Sequence, residues 1–240
     1  MRPGKHEVFV PRVTPDASIF GQFLGDVLDT WQFVRLNTDR MGGPRSVKRS
    51  KGPVRFTPDG ANVAEYLREI AESPEAFQGF FEALAFVLPY AKNLKVQVTS
   101  EIERQAYLQM AEGTFNVPGW MLSTGTLRIA ALLALFRHPR PSKVLFIEEL
   151  ENGLDPRTLG LIVEEIRSAV LSGRQQVILT THSPYLLDLL PLESIVVVER
   201  IDGEPKFWRP NDDADVQRWK NEFAPGRMYT TGRFTRGTSQ

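Results

Sequence analysis

The chain has 240 residues, in which 29 Lys and Arg are balanced by 29 Asp and Glu, so no global field selects nucleic acid or a membrane as partner. It contains no cysteine, which excludes disulfides, thiolate metal sites and a thiol nucleophile and fits a reducing, cytoplasmic setting. No apolar run reaches the length of a membrane span, and the N-terminal MRPGKHEVFVPRV lacks the apolar stretch of a signal peptide, so no membrane partner is expected.

Residues 16–29 place Ile19, Phe20, Phe23, Leu24, Val27 and Leu28 at helical spacing, and WQFVRL (31–36) follows as a short strand. The next stretch, RMGGPRSVKRSKGP (40–53), carries Arg40, Arg45, Lys48, Arg49 and Lys51 among Gly and Pro. It reads as a solvated loop because no aromatic residues interleave the charges; contact with phosphates is the sharper alternative. Helices are expected over 60–72 and 74–88, the second with Phe77, Phe80, Phe81 and Phe86 as a core stripe and closed by Pro89. Residues 93–117 alternate apolar and polar, as in an antiparallel sheet with one wet face. Residues 1–118 thus form an α+β arm.

The texture then changes over 119–210. LSTGTLRIAALLALFRH predicts a helix apolar nearly all round, VLFI a buried strand, and 156–172 an amphipathic helix with Leu159, Ile162, Val163, Ile166 and Val170 on one face. QQVILTT is another buried strand, SPYLLDLL a short helix and SIVVVE a third strand, an alternation that argues for a parallel sheet covered on both sides. Asp202-Gly203 turns the chain into a return strand, KFWR, as a hairpin at the sheet edge. Residues 211–240 read as a polar tail with one weak helix around VQRWKNEF.

Four short stretches carry chemistry. In LSTGT, Ser123, Thr124 and Thr126 surround Gly125 at a helix start, where free N–H groups and the positive dipole end attract an anion; Ser123 is also a plain N-cap. VLFI is followed at once by Glu148, Glu149 and Glu151, carboxylates that repel one another unless a metal ion, basic side chains or a retained proton intervenes. Adjacent carboxylates at a strand end suit one metal ligand beside one general base. Asp155-Pro156 reads first as an N-cap followed by proline at the first helical position, and His182 ends a buried strand before the similar pair Ser183-Pro184. Their order along the chain is more informative than any one of them.

The blocks LSTGTLRIAALLAL, VLFIEELENGLDPR and VILTTHSPYLLDLLP resemble the C-terminal half of ABC-superfamily ATPases. The likeness is to the AAA-type ATPases related to the ATPase domains of overcoming-lysogenisation nucleases and of recombination and chromosome-maintenance proteins. WQFVRLNTDRMGGP, FTPDGANVAEYLREI and SPEAFQGFFEALAFVLP look like the middle of these proteins, so the resemblance covers most of the chain. It implies an α/β fold: an ABC-type P-loop NTPase lobe, mostly parallel sheet with flanking helices, preceded by the α+β arm. It further implies ATP and Mg²⁺ as cofactors, with LSTGT as signature, VLFIEE as Walker B strand, ENGLDP as D-loop and His182 as switch histidine. By position, Glu149 would polarise the attacking water, Glu148 would sit in the Mg²⁺ shell and His182 would contact the γ-phosphate. Ser123, Thr124, Gly125 and Asp155 would meet nucleotide, Ser123 and Gly125 at the γ-phosphate of the opposite protomer in a homo- or heterodimer. Thr124 departs from the usual second glycine of the signature, and Thr126 from its Gln.

No Gly-x-x-x-x-Gly-Lys-Ser/Thr string occurs in the sequence. In the family that loop and its strand come earlier, and the resemblance places the strand between QQVILTT and SIVVVE. The expectation is therefore half of an ATPase that hydrolyses ATP once a Walker A segment is supplied upstream or by another chain. The alternative is an inactive regulatory module that docks on a complete ATPase or nuclease partner. DNA contact, through Arg40 to Lys51 or through a partner, rests on the resemblance alone.

Overall fold

The computed structural model describes residues 27–47, 52–100 and 103–236. In chain order the elements are β1 (Trp31–Val34), β2 (Arg45–Ser46), α1 (Val63–Ile70), α2 (Pro74–Val87), β3 (Ala91–Val98), β4 (Gln105–Glu112) and β5 (Phe115–Pro118). They continue with α3 (Thr124–Arg137), β6 (Val144–Ile147), α4 (Pro156–Leu171), β7 (Gln176–Leu179), α5 (Pro184–Asp188), β8 (Val197–Ile201), β9 (Glu204–Trp208), α6 (Ala214–Trp219) and α7 (Pro225–Thr230). Of the helix expected over 16–29, all but 27–29 lies outside the described residues, as do Lys48, Arg49 and Lys51 of the basic loop.

Three helices start at side-chain caps, two of them, at Ser123 and Asp155, read from the sequence. Ser73, Ser123 and Asp155 each accept a backbone N–H of the following turn, and Pro74 and Pro156 occupy first-turn positions whose N–H would have no helical partner. Helix α3 is buried on nearly every side because α1, α2 and α4 all pack against it. Its Leu132, Leu133 and Phe136 join Leu145 and Ile147 of β6, Ile162 of α4, and Leu94, Leu108 and Met110 of the arm in one core. The arm sheet runs β2-β4-β3 with β5 on β4, all antiparallel. Residues of the arm and of the lobe thus share one core.

The parallel sheet has the order β1-β6-β7, with Val34, Ile147 and Leu179 in one register row and Phe33, Phe146 and Ile178 in the next. WQFV thus belongs to this sheet and not to the arm, because its partner β6 is distant in sequence. One face, with Gln32, Val34, Leu145 and Ile147, is buried on α3 and α4. The other was expected to be covered too, yet among the described residues it is not: Phe33 is 42% and Ile178 43% exposed, and Phe33 stacks on Phe146 at 4.4 Å. Phe86, expected in the core with Phe80, faces solvent, since only part of the α2 stripe meets α3.

The hairpin at Asp202-Gly203 forms as expected, but among the described residues β8 pairs only with β9, in a separate two-stranded sheet and not at the edge of the parallel one. Nor is the stretch after 211 merely a polar tail. Val216, Met228 and Phe234 pack with Leu187, Leu192 and Ile195 in a second small core, and Arg233 lies over the rings of Trp219 and Phe223. This unit seats on α5 through Gly226, whose N–H donates to Asp188 Oδ1 at 2.6 Å. A Cβ there would stand 2.0 Å from the Pro184 carbonyl oxygen, so glycine alone permits the approach.

Candidate functional site

Glu148, Glu149 and His182 lie just past the C-terminal ends of the parallel strands β6 and β7, where α/β sheets present ligand sites. Strand β6 ends at Ile147, and the Glu148 N–H still donates to Val34 O at 2.9 Å, so Glu148 continues the strand direction and its side chain emerges into solvent. Arg35, just past β1, approaches Glu148 with Nε 3.5 Å from Oε2. Both side chains are largely exposed, so the pair is worth at most about 1 kcal/mol.

At Glu149 the chain turns sharply. Its φ is +50°, a left-handed conformation that non-glycine residues avoid. Its N–H donates to Thr180 Oγ1 at 3.1 Å, its carbonyl accepts from Asn152 N–H at 3.1 Å, and its carboxylate accepts from Asn152 Nδ2 at 2.5 Å. Glu151 reaches the neighbouring strand end: its Oε1 accepts the His182 N–H at 3.0 Å, while Oε2 is buried without a hydrogen-bond partner. The His182 ring is exposed and free to meet a ligand.

At the start of α3, Ser123 Oγ accepts the Thr126 N–H at 3.0 Å and lies 2.8 Å from Thr126 Oγ1, which is in turn 2.9 Å from Tyr90 OH. Ser123 and Thr124 are exposed, as an anion site at a helix start requires. A Cβ at Gly125 would lie 3.1 Å from Gly153 O, so the 122–126 stretch and the turn after β6 touch backbone to backbone. Asp155 stands apart from this grouping. Its Oδ1 accepts from the N–H of Arg157 (3.0 Å) and Thr158 (3.1 Å) and its Oδ2 from Thr158 Oγ1, which engages the carboxylate in capping α4. These hydrogen bonds hold its carboxyl below the ordinary carboxylate range.

Sequence reasoning missed Arg128. Buried in α3, it donates from Nη2 to Glu149 O at 2.7 Å and from Nη1 to Leu36 O at 3.3 Å. Burial lowers its affinity for its proton, and the charges of Glu151 and Glu149 oppose that loss. The signal was available: a cation in the interior of a helix apolar nearly all round, well before the Arg137 that ends it. Arg35 was missed as well, and Arg40 of the basic loop is taken up by Asp59 at 2.7 Å.

Glu148 fits Mg²⁺, a hard cation that takes one or two protein carboxylates and keeps the remaining positions for water and phosphate. Among the described residues no three acidic or histidine side chains form a closed cage, so the fit is to a metal bound together with a phosphate ligand.

A family profile described as "AAA domain, putative AbiEii toxin, Type IV TA system" matches residues 26–188, more than half of the chain. The chain belongs to this AAA family. The AAA match covers every strand of the parallel sheet and all four chemistry-bearing stretches, and nucleotide binding and hydrolysis are the general chemistry of such ATPase domains. No curated protein matches this AAA chain in sequence.

Among solved structures it is similar to the Smc head domain with coiled coil and joint from Pyrococcus yayanosii, at 18% identity and a TM-score of 0.46 over 60% of this chain and 27% of that one. It is also similar to an SMC ATPase studied for ATP-driven dimerization and DNA-stimulated activation, at 16% identity and a TM-score of 0.47 over 60% of this chain and 84% of that one. The SMC head domain of Thermotoga maritima gives 15% identity and a TM-score of 0.42, covering 61% and 51%. The chain spans about a quarter of the length of the first of these. No helix among the described residues is long and apolar enough to cross a membrane.

Proposed function

We propose that this chain is the signature, Walker B and switch-histidine half of an ABC-type ATPase, completed by a Walker A segment that lies upstream or on another chain. The observation that carries this reading is that, among the described residues, the edges of β7 and β8 and the apolar face next to them have no partner. Among the described residues, strand β7 pairs with β6 on one side only, and β8 pairs with β9 alone. Apolar side chains are exposed on both elements: Phe33 and Ile178 on the sheet, Val198 and its cross-strand partner Phe207 on the hairpin. A strand between β7 and β8, followed by a helix over these side chains, would satisfy both free edges and cover the open face. A phosphate-binding loop joining that strand to that helix would sit at the strand ends, next to Glu148, Glu149 and His182.

In this reading Glu149 orients and deprotonates the attacking water, Glu148 is a magnesium ligand and His182 contacts the γ-phosphate. Magnesium would supply charge neutralisation on the phosphates. Ser123 and Gly125, with their helix dipole, address the γ-phosphate of a nucleotide held by the opposite protomer, so a homo- or heterodimer closes on ATP. Asp155 acts there through the shape of the turn it caps.

The test compares Mg²⁺–ATP binding by calorimetry for the chain alone and for the chain produced together with the coding sequence that lies upstream of it. Alone, it should bind no more tightly than about millimolar, the weak end of the affinity scale. With the added segment, binding should tighten and hydrolysis appear, and Glu149→Gln should cut turnover by roughly a hundredfold or more while sparing binding. Micromolar binding by the chain alone would refute the reading.

A further inference from the structure

Arg128 does more than fill the core of α3. It occupies the second turn of the helix that Ser123 caps, it is only 6% exposed, and its guanidinium is directed at backbone instead of at a carboxylate. One arm of the fork holds Glu149 O and the other holds Leu36 O, so a single side chain ties together the ends of β6 and β1. The carbonyl it holds belongs to the one residue of the strand end that has a left-handed backbone. The Glu149 N–H is held by Thr180 and its carbonyl and Oε2 by Asn152, so Arg128 completes a set of restraints on that peptide coming from three directions. A lysine could not do the same, because it lacks the planar fork that serves two carbonyls at once.

We infer that Arg128 is a positioning residue for Glu149: it holds the Glu149 peptide in its turned conformation and links that peptide to the helix beginning at Ser123. The catalytic part of this inference rests on the role proposed above for Glu149, and the structural part does not. Because Gly125 also touches Gly153 backbone to backbone, α3 contacts both ends of the turn, through Arg128 at Glu149 and through Gly125 at Gly153. A displacement of α3 when Ser123 engages a phosphate would then reach the Glu149 peptide through its carbonyl.

Hydrogen exchange by mass spectrometry on the full chain separates this role from plain packing. In Arg128→Lys and Arg128→Met, amides of 148–154, including the turn donors Asn152 and Leu154, should exchange about tenfold faster or more, with β4 unchanged. Unchanged exchange over 148–154, or an equal rise across β4 and α4, overturns the inference. If Arg128→Met fails to fold, Arg128→Lys retains the charge and the stem and gives the same readout. In the completed ATPase the lysine variant should lower kcat at unaltered KM. A local rise in exchange with kcat intact would instead refute the assignment of Glu149 as the base while leaving the positioning role standing.

Discussion

The backbone at Glu149 permits a measurement of how much stability the turn gives up for the sake of its carboxylate. Replacing Glu149 by Gly and, separately, by Ala deletes the same side-chain contact with Asn152, so the difference between the variants isolates the backbone. At φ +50° an L residue with a Cβ costs roughly 1–2 kcal/mol relative to its relaxed conformations. Glycine avoids that cost but loses about 0.5–1 kcal/mol more chain entropy on folding. Glu149→Gly should therefore be more stable than Glu149→Ala by up to about 1 kcal/mol, or about 2–4 °C in Tm for a chain of this size. Glu164, exposed on α4, is the control: there Gly should be less stable than Ala by about 1 kcal/mol, the ordinary helix penalty. Thermal and urea melts of the four variants read the sign directly. If Glu149→Gly proves no more stable than Glu149→Ala while the control behaves, the turn is not strained and carboxylate placement there costs the fold nothing.

Asp155→Ala should lower stability by about 1 kcal/mol through loss of the α4 cap. The carboxyl is held below its ordinary 3.8 in the folded chain, so the cap contributes fully above the unfolded value and its contribution fades as pH falls through the folded one. Melts at pH 7 and pH 3 should show the gap between wild type and variant closing at the lower pH; a gap independent of pH would mean that the charge plays no part. Gly226→Ala forces a Cβ toward Pro184 O and should cost about 1–3 kcal/mol, felt in the small C-terminal core. Limited proteolysis should then cleave faster within 209–236 but not within β4, and equal resistance of variant and wild type would show that the contact is readily relaxed.

The helices and strands that the sequence revealed well are those whose signals are local. Caps at Ser123 and Asp155, the period of α4 and the apolar runs of β6 and β7 depend on a few adjacent residues. The misplaced pieces depend on distant ones. WQFV is a strand in either setting, and only pairing with β6, over a hundred residues later, makes it part of the parallel sheet. Phe86 continues the α2 pattern, but its exposure follows from where α3 crosses. The C-terminal unit looked polar because its core is assembled from widely spaced Val216, Met228 and Phe234, with Arg233 covering aromatic rings as a cation instead of a hydrocarbon.

The same distinction explains what was seen and missed at the three glutamates. Their crowding is plain in sequence, and the balancing charge was sought in a metal, in neighbouring basic residues or in a retained proton. The structure adds two guanidiniums, each from another element: Arg35 at Glu148, and Arg128 near Glu149 and Glu151. Arg128 was legible as a cation in the interior of an apolar helix, with Arg137 at its end, but its partners were not, because they are backbone carbonyls that every residue carries. The consequence is a division of labour. On the proposed reading, the buried guanidinium sets the turn before any ligand arrives, whereas the exposed Arg35 contact is weak enough for a phosphate-bound cation to displace it from Glu148. A site arranged in this way has its geometry built beforehand and leaves only its charge to be completed by the ligand, which is the order that electrostatic preorganisation requires.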